Sequence, residues 1–429
     1  MHPSTRRSVV VLFLCAIVLV IAPPLAAEEL EALAAGGFPI QPGVWRLDGT
    51  DPELPTADLE PLRALVGKAT LVGLGESVHT SGGYYETKDR LFRYLVEKLG
   101  FRVIAFETPW LDGETANAYV QSCDGDADTA TAGFFGVWRS RELSSLLGWM
   151  CDWNRTHSKP KDRLSVYAFD IQYQAAQDTQ ALADFLVRLG LDPESEAFAG
   201  LERCSPAEAA FRIARPFQDD ALRCQEATAA IAQLFASQSK AIAKKVGKSD
   251  FEWAKLRRAG LDAWMGEMFY AKHPERWRSF AARDQGMATV LLGIRAIRYP
   301  KSKIAVWAHN AHVAHDGTGW ETTVMGQHLT AALGNKYVVV GLASREADID
   351  WLNVGCGASD PPSPGASEQI LHALGEEMLL VDLRATSLFE PGSEYELGWR
   401  TVVPARTFDA LVYLDRSRKM SPLAWPSCQ

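Results

Sequence analysis

The sequence holds no G-x-S-x-G segment, so the strained turn that presents a nucleophilic serine in the common α/β esterases is not expected. H-E-x-x-H is missing as well, and none of the seven cysteines shows the Cys-x-x-Cys spacing of a zinc or redox site. Basic residues are in deficit: Lys and Arg number 44 against 53 Asp and Glu, a net charge of −9. No stretch reaches the cationic density of a nucleic-acid surface, which argues against a polyanionic partner. Internal repeats and low-complexity tracts are also lacking, and Asp360 to Gly365, with its three prolines, reads as an irregular loop and not as a linker.

Long apolar runs are scarce. The one of note, Val9 to Ala22, follows Arg6 and Arg7 and precedes Ala26 and Ala27, the layout of an export signal ending near residue 27. Its length, about 14 residues, is short of the roughly 20 that span a bilayer, although an uncleaved anchor is the competing reading. The expected mature chain, 28–429, carries no further membrane segment and resides in the periplasm or outside the cell. Loss of two arginines and no acid moves its net charge to −11. Cys15 leaves with the signal, and six cysteines remain, an even number in an oxidising compartment. Of fifteen possible pairings, Cys204 with Cys224 is the expected local bridge, with buried free thiols as the alternative.

What remains has the organisation of an α/β protein. Ala69–Leu74, Arg102–Phe106, Leu164–Phe169, Lys303–Ala308, Tyr337–Leu342, Met378–Leu383 and Ala410–Leu414 are apolar runs without alternation. Helical stretches separate them, such as Tyr84–Leu99, with Leu91, Leu95 and Leu99 at helical spacing and Gly100 as its stop. This pattern predicts a mainly parallel sheet covered by helices on both faces. From 175 to 297 the chain turns rich in Ala, Leu, Arg and Glu, and reads as a helical insertion capping the carboxyl ends of the strands.

The chemistry is concentrated where strands end. Leu71–Gly75 runs into Glu76, Ser77, Val78 and His79. Val103–Phe106 runs into Glu107, Val166–Phe169 into Asp170 with Gln172 beyond, and Ile304–Ala308 into His309 and then His312. Ligands of open α/β sheets bind outside the carboxyl ends of the strands, so these four ends are expected to converge. Singly, Asp170 reads as a turn or cap residue, Glu107 as a partner for an arginine, and His312 and His315 as solvated or satisfied histidines. Glu76, His79 and His309 read differently, because a base beside a carboxylate is what activation of water requires.

Leu74-Gly75-Glu76-Ser77-Val78-His79, continuing through Tyr84, Tyr85, Glu86 and Lys88 to Leu91, resembles the opening motif of the erythromycin esterase family. Ile104–Glu107, Tyr167–Gln172, Arg283-Asp284-Gln285 with Met287, and Trp307–Ala314 are similar to its later motifs and occur in family order. The resemblance implies an α/β fold with a helical part over the cleft, and hydrolysis of a macrolide lactone by an activated water without a serine nucleophile. It implies His79 as general base, Glu76 as its orienting carboxylate, and Glu107, His309 and His312 around the site. Lys88 takes the place of a basic residue, with Arg283 nearby. Thr80-Ser81-Gly82 departs from the family, whose members often carry Gly first, and this bears on loop shape and substrate fit.

Three alternatives stand beside this. Glu76, His79, Glu107, Asp170, His309 and His312 are all acceptable ligands, so a divalent metal is possible although no cofactor is required. A binding protein would capture a small molecule in the same cleft without turnover. A hydrolase of the same type would act on a substrate other than a macrolide. Trp110, Trp138, Trp264 and Trp307 either floor an apolar pocket or fill the core.

Overall fold

The apolar runs without alternation become strands buried on both faces. The computed structural model describes residues 39–425 except 197, 206–216, 272–273, 276 and 352–354. The expected signal at 1–27, Cys428 and the side chain of Cys356 lie outside the described residues. Eleven strands are β1 (Val44–Arg46), β2 (Leu71–Leu74), β3 (Val103–Pro109), β4 (Ser165–Asp170), β5 (Ile304–Trp307), β6 (Tyr337–Trp351), β7 (Gly355–Ala358), β8 (Met378–Asp382), β9 (Tyr395–Leu397), β10 (Arg400–Val402) and β11 (Ala410–Ser417). Six of them run parallel in the order β11-β6-β2-β5-β3-β4, and β8 and β1 extend the sheet antiparallel beyond β11. The far end of β6 pairs with β7, and β9 and β10 form a separate hairpin. The architecture is α/β, with a mixed, mostly parallel sheet between helices.

Successive side chains of each strand feed two core layers. Leu71, Val103, Ile304 and Val339 pack with Leu186, Leu261, Met287 and Leu291 of the helical stretch 175–298. Val72, Ile104, Ala305 and Val340 pack with Leu91, Leu95, Val120 and Leu147, which come from the helices Gly82–Leu99, Trp110–Ser122 and Arg141–Thr156. Each such aliphatic side chain, removed from water, contributes about 1.5–3 kcal/mol. The helical stretch therefore shares a core layer with the sheet, and its last helix, Trp277–Arg298, also carries Phe280, Arg283 and Asp284 to the carboxyl edge. No helix among the described residues is long and apolar enough to cross a membrane.

Two disulfides brace the helices. Cys204 joins Cys224, as the spacing suggested, with Cα atoms 4.9 Å apart. Cys123, just past Trp110–Ser122, joins Cys151 inside Arg141–Thr156, a pairing the sequence did not single out.

The connections fix where the crevice opens. The chain leaves β2 through Gly82–Leu99, on one face of the sheet, and leaves β5 through Asn310–Val313 and Met325–Leu333, on the other. β2 and β5 are neighbours, so their outgoing segments diverge and a crevice opens between their carboxyl ends.

Candidate active site

Glu76, His309, Glu107 and Asp170 stand at the ends of β2, β5, β3 and β4, four strands adjacent in that order across the sheet. The segments after β2 and β5 are tied together: the Asn310 N–H donates to the Glu76 carbonyl at 2.8 Å, and the Asn310 amide reaches across to both backbone groups of Leu342. Gly75 is required here, since a Cβ would sit 2.1 Å from the Asn310 Oδ1.

Glu76 is fully buried, with one oxygen hydrogen-bonded and the other in an ion pair. One faces the His79 Nδ1 at 2.7 Å, and the other faces the Lys88 Nζ at 2.5 Å. A carboxylate accepting at Nδ1 fixes the tautomer in which Nε2 carries the basic lone pair. Lys88 is also fully buried; its ammonium lies 4.4 Å from the Trp307 ring centre and 3.4 Å from the carbonyls of Leu74 and Ala308. Burial lowers its pKa, with Glu76 acting in the opposite direction. Lys88 therefore lies beneath Glu76 and does not line the cavity, so it positions the carboxylate and is not placed to touch an oxyanion. His79 packs edge-on against Trp138 at 4.9 Å and His309 at 5.0 Å. Its loop turns at Thr80, whose φ of +67° is the left-handed conformation that favours glycine. Thr80 holds this turn with its N–H bonded to the Tyr85 hydroxyl at 2.9 Å.

Glu107 is the centre of a second, wider network. Its Oε2 accepts the His309 N–H at 2.9 Å, and its Oε1 faces Arg283 at 3.1 Å and His312 at 3.2 Å. Burial would raise its pKa, but His312, Arg283 and His79 hold it well below the ordinary range. Arg283 also pairs with Asp170 at 2.5 Å; both that carboxylate and Glu107 outweigh burial and hold the guanidinium charged. Glu107 is thus an arginine's partner and also lines the cavity.

The three histidines take different states. His312 lies between Asp284, 2.8 Å from Nδ1, and Glu107. Burial opposes its charge, but the two carboxylates push its pKa up to about 10, so it is an imidazolium at neutral pH. His309 accepts the Ala311 N–H at Nδ1 and donates from Nε2 to the Ser77 carbonyl, both at 3.0 Å. Burial and the flanking histidines push its pKa down to about 3. It lines the cavity as a neutral ring with both nitrogens taken by backbone, which departs from its reading as part of the water-activating set. His79 holds Glu76 at Nδ1 and faces the same cavity.

These groups face one cavity of about 890 Å³, lined by Ser77, His79, Glu107, Gln172, Arg283, Asp284, His309 and His312. Phe135, Trp138, Tyr173, Phe280 and Trp320 supply its apolar walls. Of the tryptophans singled out, Trp138 lines it, Trp307 lies behind as core, Trp264 is buried in the helical layer, and Trp110 stacks on Trp253 at 5.6 Å beside a separate hollow. Asp170 sits under Arg283, while Gln172 faces the cavity. No group of three or more His, Cys, Asp or Glu side chains among the described residues has a geometry that could hold a metal ion.

Sequence reasoning missed Asp284 as a site residue, although Arg283-Asp284 was quoted as a motif. It also missed Glu267, whose carboxylate accepts from the Gln172 amide. Nothing in the pattern of the helix Lys248–Tyr270 marked Glu267 out. Burial raises its pKa to about 7, with Arg283 opposing. A carboxyl raised in the fold contributes stability that is complete below about pH 4.5 and is lost as pH climbs through about 7. Thermal melts at pH 5 and pH 8 should therefore show a larger loss for the wild type than for Glu267→Gln. Equal losses would remove Glu267 from this account.

The matched family model is that of erythromycin esterase, over residues 96–417. The match takes in Glu107, Asp170, Arg283, His309 and His312 and begins after Glu76, His79 and Lys88. YbfO, a Bacillus subtilis protein assigned as a hydrolase, is 26% identical over 398 residues, covering 83% of this chain and 86% of its own. Erythromycin esterase type II of Escherichia coli is 23% identical over 314 residues, 67% of this chain and 72% of its own. The solved structure of a mutant erythromycin esterase in its open conformation superimposes with a TM-score of 0.72 at 19% identity, over 90% of this chain and all of that one. With three quarters of its length inside the family model, the chain belongs to the erythromycin esterase family.

Proposed function

We propose that this hydrolase of the erythromycin esterase type cleaves an ester or lactone with a water activated by His79. The observation that carries the reading is the division of labour among the histidines. His309 is neutral with both nitrogens bound to backbone, His312 is held as a cation with a carboxylate at each ring nitrogen, and His79 faces the cavity with one carboxylate, Glu76, at Nδ1. In the proposed step His79 takes a proton from water at Nε2 while the hydroxide adds to the substrate carbonyl. Glu76 stabilises the imidazolium that forms, and Lys88 pairs with Glu76 and holds it in place. His312 and Arg283, which line the same cavity, supply positive charge for the developing oxyanion. Collapse of the tetrahedral species returns the proton from His79 to the leaving alkoxide, giving an acid and an alcohol.

No metal is assigned a step. The imidazoles of His309 and His312 are already committed to protein partners, which leaves few donors for an ion. We also propose that the protein works outside the cytoplasm. Arg6, Arg7 and the run Val9–Ala22 have the layout of an export signal, and the two disulfides suit an oxidising compartment. The relative named an erythromycin esterase makes a macrolactone the first substrate to try.

The test is a panel of aryl and alkyl esters, simple lactones and a macrolactone, each incubated with and without a chelator. Turnover of at least one of them, unchanged by the chelator, supports the proposal. Loss of turnover that only a divalent ion restores would replace it with a metal mechanism. Tight ligand capture without turnover would replace it with a binding role.

A further inference from the structure

The cavity holds four cations or lies over them, and three are matched. Lys88 is paired with Glu76, Arg283 with Asp170 and Glu107, and His312 with Asp284 and Glu107. Arg400 lines the same cavity, and among the described residues no carboxylate comes within ion-pair distance of it. It also lines an adjoining hollow of about 350 Å³, shared with Ser77, His309, Trp320 and Trp399.

The hairpin that carries Arg400 is built to stay where it is. β9 and β10 pair with Leu397 opposite Arg400, joined by Gly398 at φ +57° and Trp399 at φ +61°. Two successive left-handed residues make the tight turn whose twist suits a hairpin. For Trp399 that conformation is strained and persists only where the surroundings impose it. They do: the Gly398 N–H donates to the buried Glu368 carboxyl at 2.6 Å, and the Trp399 indole donates to the Asp360 carbonyl at 3.3 Å. Gly398 lies so close to Ser77 that a Cβ would stand 2.7 Å from the Ser77 Cβ. The arm therefore leans on the loop that also carries Glu76 and His79, and it presents a half-exposed indole and an unmatched guanidinium at the mouth.

We propose that the β9–β10 hairpin is a recognition arm, and that Arg400 binds an oxyanion, carboxylate or phosphate, borne by the substrate away from the scissile bond. The inference rests on the hydrolase reading for the word substrate, but not for the binding it asserts. The carboxylates of the floor are already shared among Lys88, Arg283 and His312, which leaves the Arg400 guanidinium as the lining cation without an ion pair among the described residues. A planar guanidinium beside aromatic rings suits a ligand with an apolar body and an anionic end.

Equilibrium binding separates the two questions. Titrate 4-phenylbutyrate, 4-phenylbutyl phosphate and the neutral 4-phenylbutyramide into the wild type, Arg400→Gln, Arg400→Lys and His79→Ala, following tryptophan fluorescence. The expected result is an anionic probe bound about 10-fold more tightly than the amide by the wild type and by His79→Ala. Arg400→Gln should erase that preference and Arg400→Lys should keep part of it. Whichever anion shows the larger preference identifies the group. Equal binding of anions and amide by the wild type, or a preference untouched in Arg400→Gln, would overturn the proposal. Failure of every ester in the panel, with the anion preference intact, would sink only the hydrolase reading.

Discussion

His79→Ala is expected to lower kcat on any ester the protein hydrolyses by about 1,000-fold, within the range that a positioned general base contributes. The size follows from the lack of a substitute. His309 has both nitrogens bonded to backbone and a pKa pushed down to about 3, and His312 is held as a cation by two carboxylates. Glu107 is a carboxylate held well below the ordinary range and committed to three donors, which makes it a weak base. The His79 side chain is about 20% exposed and stands at the cavity wall, so its truncation should leave the melting temperature within a few degrees. Steady-state kinetics with a thermal melt on the same preparation checks this. A loss below 10-fold, with the fold intact, would assign proton transfer to another group.

Lys88→Met should be the most destabilising single change at the site. It leaves the fully buried Glu76 carboxylate without its ammonium, and breaking a buried ion pair from one side costs about 3–5 kcal/mol. The methionine stem can still pack between Trp307 and Trp138, so lost volume is a small part of the effect. Adding Glu76→Gln to Lys88→Met removes the stranded charge, and the double variant should recover most of the stability. Activity should not return, because a neutral amide does not stabilise the imidazolium of His79. Chemical denaturation of the two variants measures the first claim, and ester hydrolysis the second. A double variant no more stable than Lys88→Met would mean that the pair is not the reason Lys88 is buried.

The fold was legible where strands are buried on both faces. β2, β3, β4, β5 and β11, which are parallel, and the antiparallel β8 read as apolar runs because strands between two helical layers have no polar side to show. β1, β9 and β10 have three residues each, too few to carry a period, and only pairing defines them. β6 was cut short at Leu342 because Ser344–Asp350 is polar. The structure carries the strand on to Trp351, where its far end leaves the sheet and pairs with β7.

The site was legible to the same extent and for a related reason. A buried strand that ends in Glu76, Glu107, Asp170 or His309 announces a charge in need of a partner. The sequence did not show which partner each would find. Arg283, Asp284 and Glu267 come from helices more than 90 residues from β4 or β3, and the Arg400 arm comes from a hairpin with no motif. The states of His309 and His312 were equally hidden, since both follow from backbone groups and carboxylates brought near only by folding.

The claim beneath all of this is that water, and no side chain, attacks the carbonyl in this cleft. Single-turnover hydrolysis of a reactive ester in H2(18)O, with the enzyme in excess and both product acid and intact protein weighed by mass spectrometry, addresses it most directly. One heavy oxygen in the acid and no acyl adduct on the protein at any time point is the predicted result. A transient adduct, or an acid whose first turnover carries only light oxygen, would contradict it.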